Sequence, residues 1–362
     1  MAAWLRTLEN MVIDTNFWCN QRIFLTGHTG FKGSWLSLLL SSLGAQVFGY
    51  ALPPENENDI FNVAKVATSI NHQIGDIRNL SDLISAVQKV QPTIVLHMAS
   101  QALVRKSYDF PIETYLTNVM GTAHLLEAVR QVGGAKAVII ITSDKCYENM
   151  EWSWGYRETD RLGGYDPYSN SKACAELVTS AYQKSFFEGE SKTLIASARA
   201  GNVIGGGDWS SDRLVPDAMR AFSKGKKIQV RFPNAIRPWQ HVLDPLLGYL
   251  KLAERLSTGS KIYEGGWNFG PAAASEISVQ NLLNLLVKKW GQNSSWESDG
   301  LLHPYEANYL KLDCSKSQMV LKWHPRIDLE NSINLTIDWY KAYQNGQDMR
   351  KVTSNQIDQV LN

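Results

Sequence analysis

Ile23-Phe24-Leu25-Thr26-Gly27-His28-Thr29-Gly30-Phe31-Lys32-Gly33-Ser34-Trp35-Leu36 sets a strand, a glycine-rich turn and a helix end to end. The run from Ile23 to Thr26 is apolar and has the length of a buried strand. Glycines then recur at GxxGxxG spacing. Trp35, Leu36, Leu39, Leu40 and Leu43 follow at helical spacing until Gly44 punctuates the run. Glycines in such a turn let the backbone approach a pyrophosphate, whose charge a helix N-terminus favours. The spacing alone is a weak signal; its place between strand and helix is what gives it meaning.

Outward from this unit the alternation continues. Val47–Tyr50 reads as a second strand, and a third should end near Ile74-Gly75-Asp76. Leu80–Val90 is helical and closed by Pro92. Thr93–His97 is a buried strand, Ile112–Val132 a long helix and Ala137–Ile141 a fully apolar strand. Pro167 opens a helix from Tyr168 to about Phe186, and Thr193–Ala198 is another strand. Strands without polar alternation, separated by helices, indicate a parallel sheet covered on both faces. The expected fold class is therefore α/β: a Rossmann-type doubly wound parallel sheet with a smaller mixed α/β substrate-binding domain. The expected division is 1–200 for the dinucleotide-binding domain, after an N-terminal extension over 1–20. Residues 201–362 form mainly the second domain, with some segments returning to the first. Helical patterns recur there at Leu243–Leu256, Val279–Trp290 and Asn331–Tyr343, and the polar stretch from Asn345 is expected to fray.

The 36 basic and 35 acidic residues of the 362 nearly cancel, leaving a net charge of +1. This excludes general attraction to nucleic acid or to a membrane surface, so an anionic ligand must be met by a local basic cluster. No stretch approaches the roughly 20 apolar residues of a membrane span. The first residues carry Glu9 and Asp14 and lack the apolar core of a secretory signal. Cys19, Cys146, Cys174 and Cys314 are scattered, with no metal-ligand spacing. They read as reduced thiols of a cytoplasmic protein, with no metal implied.

Tyr168 and Lys172 stand four apart at the start of a helix, so both face one way. A cation beside a phenol favours the phenolate and would make Tyr168 a base near neutral pH. Ser143, Asp144 and Lys145 follow the apolar strand Ala137–Ile141, and ligands of parallel sheets collect at that end of the strands. A hydroxyl, a carboxyl and an amine there can supply acid and base chemistry. The second strand ends in Tyr50-Ala51-Leu52-Pro53, without the acid that usually binds an adenosine ribose, so NAD and NADP both stay open. Asp76 is either an adenine contact or a helix N-terminal acid. Arg213 and Arg237 are candidates for a diphosphate, since guanidinium groups pair with phosphate oxygens; the weaker alternative for each is a surface ion pair. Trp152, Trp154 and Trp239 are weaker candidates for the site, and His97 is expected to pack below the sheet edge.

Gly27–Gly33, the Tyr168/Lys172 pair and Ser143 resemble the extended short-chain dehydrogenase/reductase family. His97–Arg105, Thr117–Thr122 and Thr142–Tyr147 are similar to nucleotide-sugar 4,6-dehydratases. Gly27–Trp35, Arg199–Trp209 and Arg237–Val242 resemble those members that act on CDP-glucose. The resemblance runs from Arg22 to about Trp339. It implies oxidation at the sugar C4, loss of water across C5/C6 and return of hydride to C6. It implies Ser143, Asp144, Lys145, Tyr168 and Lys172 as catalytic residues. The implied cofactor contacts are Gly27, His28, Thr29, Gly30, Phe31, Lys32, Gly33, Asp76, Ile77, Ala99 and Thr142, together with Tyr168 and Lys172. Gln101 and Asn202 join Arg213 and Arg237 as implied substrate contacts, and the partner is a second copy of the chain. That homodimer would form through the helices near Thr114–Val132 and Tyr168–Phe186. Two departures stand out. His28 and Lys32 replace small or apolar residues, which should alter the grip on the cofactor and could favour an extra phosphate. Lys145 stands where related enzymes place the glutamate that acts at C5. A nucleotide-sugar epimerase and a catalytically silent dinucleotide-binding regulator remain as rival readings.

Overall fold

The computed structural model describes residues 13–189, 191–291, 294–301 and 309–361. Its centre is a seven-stranded parallel sheet. The strands are β1 (Arg22–Thr26), β2 (Gln46–Ala51), β3 (Asn71–Ile74), β4 (Ile94–His97), β5 (Ala137–Ile141), β6 (Leu194–Ala200) and β7 (Gly265–Phe269). They lie in the order β7-β6-β5-β4-β1-β2-β3. Apolar residues fill both sides of each central strand because both faces are covered. Ile23 and Leu25 enter one core with Ile94, Leu96 and Ile139, while Phe24 enters the other with Val95, Val138 and Ile140.

The covering helices follow the spacing that the sequence shows. In α2 (Leu80–Val90) the buried positions Leu83, Ala86, Val87 and Val90 recur at three and four residues, whereas α1 (Phe31–Ser42) is buried all round from Gly33 to Leu40. The long helix expected over 112–132 is interrupted: Pro111–Tyr115 leads into a wider turn at Leu116–Met120 before α3 (Gly121–Val132). Pro167 opens α4 (Pro167–Tyr182), with the Asp166 carboxylate accepting from the Ser169 N–H at 2.9 Å. That is a side-chain cap on an otherwise unsatisfied donor. Beyond β6 come α5 (Leu214–Ser223), α6 (Leu243–Leu256), α7 (Val279–Trp290) and three two-stranded pairings.

Two expectations need correction. Residues 13–20 do not stand outside the fold. Ile13 and Trp18 are buried, and the Trp18 indole donates to Glu254 Oε1 at 2.8 Å. The rest of that proposed extension, 1–12, lies outside the described residues. The polar stretch from Asn345 does not fray either. It forms α9 (Met349–Leu361), which packs on α8 (Leu329–Gln344) and α1 through Met349, Thr353, Gln356 and Ile357. Thr353 Oγ1 accepts from the Trp339 indole at 2.9 Å. The inward face is narrow and half polar, so mean polarity hid it.

The sheet order reverses between β1 and β4, which opens a crevice at their C-terminal ends. Gly27 follows β1 there with φ +76°, and a Cβ on it would stand 2.6 Å from the Ala99 nitrogen. Glycine is needed for both reasons. His28 turns away from the crevice into the core, and its Nε2 meets His72 Nδ1 at 2.6 Å. Its ring fills the space over Gly49, where a Cβ would lie 2.4 Å from His28 Cγ.

Candidate active site

The phosphate loop is built from backbone. A Cβ on Gly33 would stand 2.1 Å from the Gly27 carbonyl oxygen, and no side chain caps the start of α1. The helix amides therefore stay available to an anion, which their dipoles favour. Thr29 Oγ1 donates to the Leu52 carbonyl at 2.8 Å, tying the loop to the end of β2. Burial, with His72 alongside, holds His28 neutral, down at about 3. Ile77 is buried against Gly121, next to Asp76. The Asp76 carboxylate is clamped by Arg78, whose Nη2 approaches to 2.6 Å and whose N–H donates at 2.9 Å. Asn79 caps α2, so Asp76 is not that helix's terminal acid.

The strand end after β5 meets the start of α4. Ser143, Asp144, Tyr168 and Lys172 are all buried here. Ser143 Oγ donates to Asp144 Oδ1 at 2.9 Å and accepts from the Lys145 N–H at 3.2 Å. Ser143 also hydrogen-bonds the Tyr168 side chain. Lys172 Nζ donates to the Ile141 carbonyl at 3.4 Å. Asp144 fits only because Gly201 has no side chain: a Cβ there would stand 2.6 Å from Asp144 Oδ2. Lys145 is half-buried, and its side chain makes no hydrogen bond or ion pair with a described residue.

Burial sets the protonation of this corner. It pushes the Asp144 carboxyl up despite Lys145, Ser143 and Arg237 nearby. It pushes the Tyr168 phenol up to about 12, against the opposing pull of Ser143 and Arg213. At Tyr168 desolvation thus outweighs nearby positive charge in the protein without its cofactor. Lys172 is itself drawn down to about 8 by burial, with Cys146 and Glu176 opposing.

Lys32 also differs from expectation. Its ammonium points inward and donates to Tyr249 Oη on α6 at 3.2 Å. Desolvation first, then Lys172 and Arg213, draw it down to about 7. It faces the catalytic corner and not the end of β2, so it offers nothing to an extra phosphate on the adenosine.

The predicted substrate contacts divide. Arg213 and Arg237 both reach the corner electrostatically, Arg213 beside Tyr168 and Arg237 beside Asp144. Arg213 Nη1 also donates to Asp208 Oδ2 at 3.1 Å. Asn202 is half-buried where the chain leaves β6, and its carbonyl accepts from the Gln240 N–H at 3.1 Å. Gln101 does not face the crevice. Its amide donates to Leu103 O and Thr114 Oγ1 at 3.0 Å, and its Oε1 accepts from the Leu103 N–H. His97 bonds Thr26 at 2.7 Å and is held neutral by burial, at about 3. Trp239 is buried, and Trp152 stacks on Tyr156 with ring centres 5.4 Å apart. Among the described residues no group of His, Cys, Asp and Glu could hold a metal ion, and no helix is long and apolar enough to cross a membrane.

Sequence reasoning missed three participants. Asn118, in the wide turn, bonds both backbone groups of Gln101 and donates to Ser171 Oγ at 2.8 Å. Glu176 and Arg199 form a buried ion pair at 2.7 Å beneath Lys172. Glu176 was open to detection, since it continues the four-residue spacing of Tyr168 and Lys172.

Residues 24–336 match the family model described as GDP-mannose 4,6 dehydratase. The chain belongs to the nucleotide-sugar 4,6-dehydratase family. Among curated members it is 51% identical over 354 residues to the CDP-glucose 4,6-dehydratase of Salmonella typhimurium, covering 97% of this chain and 99% of that one. Solved structures share the family fold at lower identity. The dTDP-glucose 4,6-dehydratase DesIV of Streptomyces venezuelae, solved with NAD, superposes with a TM-score of 0.74 at 21% identity, covering 91% and 99%. The UDP-glucuronic acid 4-epimerase of Bacillus cereus, solved with UDP-glucuronic acid and NAD, gives 0.76 at 23%, covering 89% and 99%. A dehydratase of this family needs an acid, a base and a dinucleotide cradle in one crevice, and the crevice at the ends of β1, β4 and β5 brings such groups together.

Proposed function

We propose that this dehydratase converts CDP-glucose to CDP-4-keto-6-deoxyglucose. The observation that carries the reading is the buried Ser143–Asp144 pair beside Tyr168 and Lys172, combined with 51% identity to a CDP-glucose 4,6-dehydratase. NAD would be held by the Gly27–Gly33 turn, where it would supply the hydride acceptor for C4 and the hydride donor for C6. Tyr168 takes the proton of the C4 hydroxyl, and Ser143 bonds the same oxygen. The resulting C4 ketone acidifies the C5 proton, and Lys145 either removes that proton as a base or stabilises the enolate as a cation. Asp144, whose carboxyl burial pushes up, gives a proton to the departing C6 hydroxyl in its acid form. Arg213 and Arg237 hold the diphosphate, with Asn202 alongside. A Lys145→Met variant that exchanges the C5 proton at the parent rate would overturn the role given to Lys145.

The cofactor reading is NAD over NADP. The glycine cradle and the uncapped start of α1 suit a pyrophosphate. Leu52–Ala64, after β2, contains Glu55, Glu57 and Asp59 but no base to meet a 2′-phosphate. The working unit is a homodimer. Ile112, Leu116, Met120, Leu177 and Phe186 are exposed on neighbouring helices, more apolar surface than a solvated face requires. Sedimentation at the monomer mass would overturn that assignment. The reading also places the enzyme in the cytoplasm, where its four free thiols stay reduced.

The function is tested by product mass after incubation with CDP-, UDP-, GDP- and dTDP-glucose and either cofactor. Loss of one water from CDP-glucose with NAD is expected. Unchanged mass with an altered sugar NMR spectrum would establish an epimerase instead.

A further inference from the structure

The catalytic helix is fastened to the sheet one turn beyond Lys172. Glu176 lies on the same face of α4 as Tyr168 and Lys172, at successive four-residue steps. Its carboxylate is fully engaged. Oε1 accepts from Thr142 Oγ1, the residue between β5 and Ser143. Oε2 accepts from Ser197 Oγ at 2.7 Å and from Arg199 Nη2 at 2.7 Å, both on β6. Lys172 Nζ reaches the Ile141 carbonyl, one residue before Thr142. Lys172 and Glu176 therefore grip adjacent residues of one strand end.

The connection continues past Arg199. Its Nη1 donates to Tyr147 Oη at 2.7 Å and to the Glu158 carbonyl at 3.1 Å. Tyr147 in turn donates to Asn268 Oδ1 on β7 at 2.8 Å. One buried chain of bonds thus joins the catalytic helix, the Ser143 strand end and the segment that follows it.

We propose that Glu176 is a positioning residue for the Tyr168/Lys172 pair, holding the catalytic helix against the Ser143 strand end and supplying the buried negative charge that keeps Lys172 an ammonium. This rests on the assignment of Tyr168 and Lys172 under the proposed function.

The surroundings of Lys172 leave that charge to Glu176. The titratable groups facing Lys172 are Cys146 after β5, His97 on β4, Lys32 on α1 and Glu176 on its own helix. His97 is neutral, burial keeps the Cys146 thiol protonated, and Lys32 has the wrong sign. Burial alone would raise the Glu176 carboxyl, but Arg199, Ser197 and Thr142 outweigh it and hold the group below its usual range. Glu176 is thus ionised wherever the enzyme works. A buried ammonium needs such a partner, because desolvation otherwise drives off its proton.

The test compares the pH–rate profiles of three proteins turning over CDP-glucose with NAD. They are the parent, Glu176→Gln, and Glu176→Gln/Arg199→Met, with thermal midpoints measured alongside. The double variant avoids leaving Arg199 as an unpaired buried cation, which could unfold the single variant. The double variant is expected to stay folded and to lose about ten- to a hundredfold in kcat, less than the roughly 10²–10⁴-fold supplied by a general acid or base itself, because the pair is displaced and not removed. Its KM should change less than about threefold, since uniform binding is untouched. Its alkaline limb should move about one pH unit lower, the direction expected when an ammonium loses its anion. A folded double variant with an unmoved alkaline limb would overturn the proposal, whatever its kcat. A parent that turns over no nucleotide sugar would instead overturn the functional reading beneath it.

Discussion

Two ion-pair clusters in the molecule are built in opposite ways. Beneath the chemistry, Arg199 and Glu176 pair at 2.7 Å with side chains 5% and 4% exposed, every carboxylate oxygen bonded. In the segment that leads into α5, Asp212 Oδ1 accepts from Arg105 at 3.0 Å and Arg231 at 3.2 Å, with the three side chains 54%, 43% and 26% exposed for Arg105, Asp212 and Arg231. Asp212 also sits at φ +60°, a backbone conformation that costs a non-glycine residue energy. A buried pair cannot exchange partners without stranding a charge, whereas an exposed pair can exchange with water or anions at little cost. The difference separates two tasks. The groups proposed to move protons are held by a rigid floor, while the arginines around Asp212 are held by contacts that release easily.

Three substitutions test that contrast, in descending size. Tyr168→Phe removes the proposed proton acceptor without touching the floor. It should lower kcat about a thousandfold with an unchanged melting temperature. A large fall in stability would mean that Tyr168 belongs to the scaffold. Arg199→Met strands the Glu176 charge and should cost about 3–5 kcal/mol in denaturant unfolding. Asp212→Asn should cost less than about 1 kcal/mol, a loss that vanishes in high salt. Equal losses at Arg199 and Asp212 would break the contrast.

How much of this was legible in the sequence depends on range. β1, the phosphate loop and α1 are contiguous, so one pass along Ile23–Leu43 shows them together. Tyr168 and Lys172 share a helix, and their spacing is visible for the same reason. Ser143 and Asp144 could be placed beside them because parallel strands end together. Glu176 continues the spacing of Tyr168 and Lys172, but its pairing with Arg199 was not readable, since it joins a helix to β6. Side-chain direction was equally hidden: Lys32 folds inward to Tyr249, and Gln101 spends its amide within its own loop. In α9 the inward positions Met349, Thr353, Gln356 and Ile357 do keep helical spacing, but two are polar and the pattern passes for a solvated tail.

The His28 ring and the bare Cα of Gly49 have a historical consequence. A side chain at position 49 would collide with the ring of His28, so the two positions do not vary independently. Histidine arriving opposite any larger residue would be excluded from its pocket beside His72. Glycine at 49 is compatible with a small residue at 28 as well as with the histidine. The order of mutation is therefore directional: the glycine comes first, and once the histidine is seated the way back at position 49 is closed until the histidine leaves.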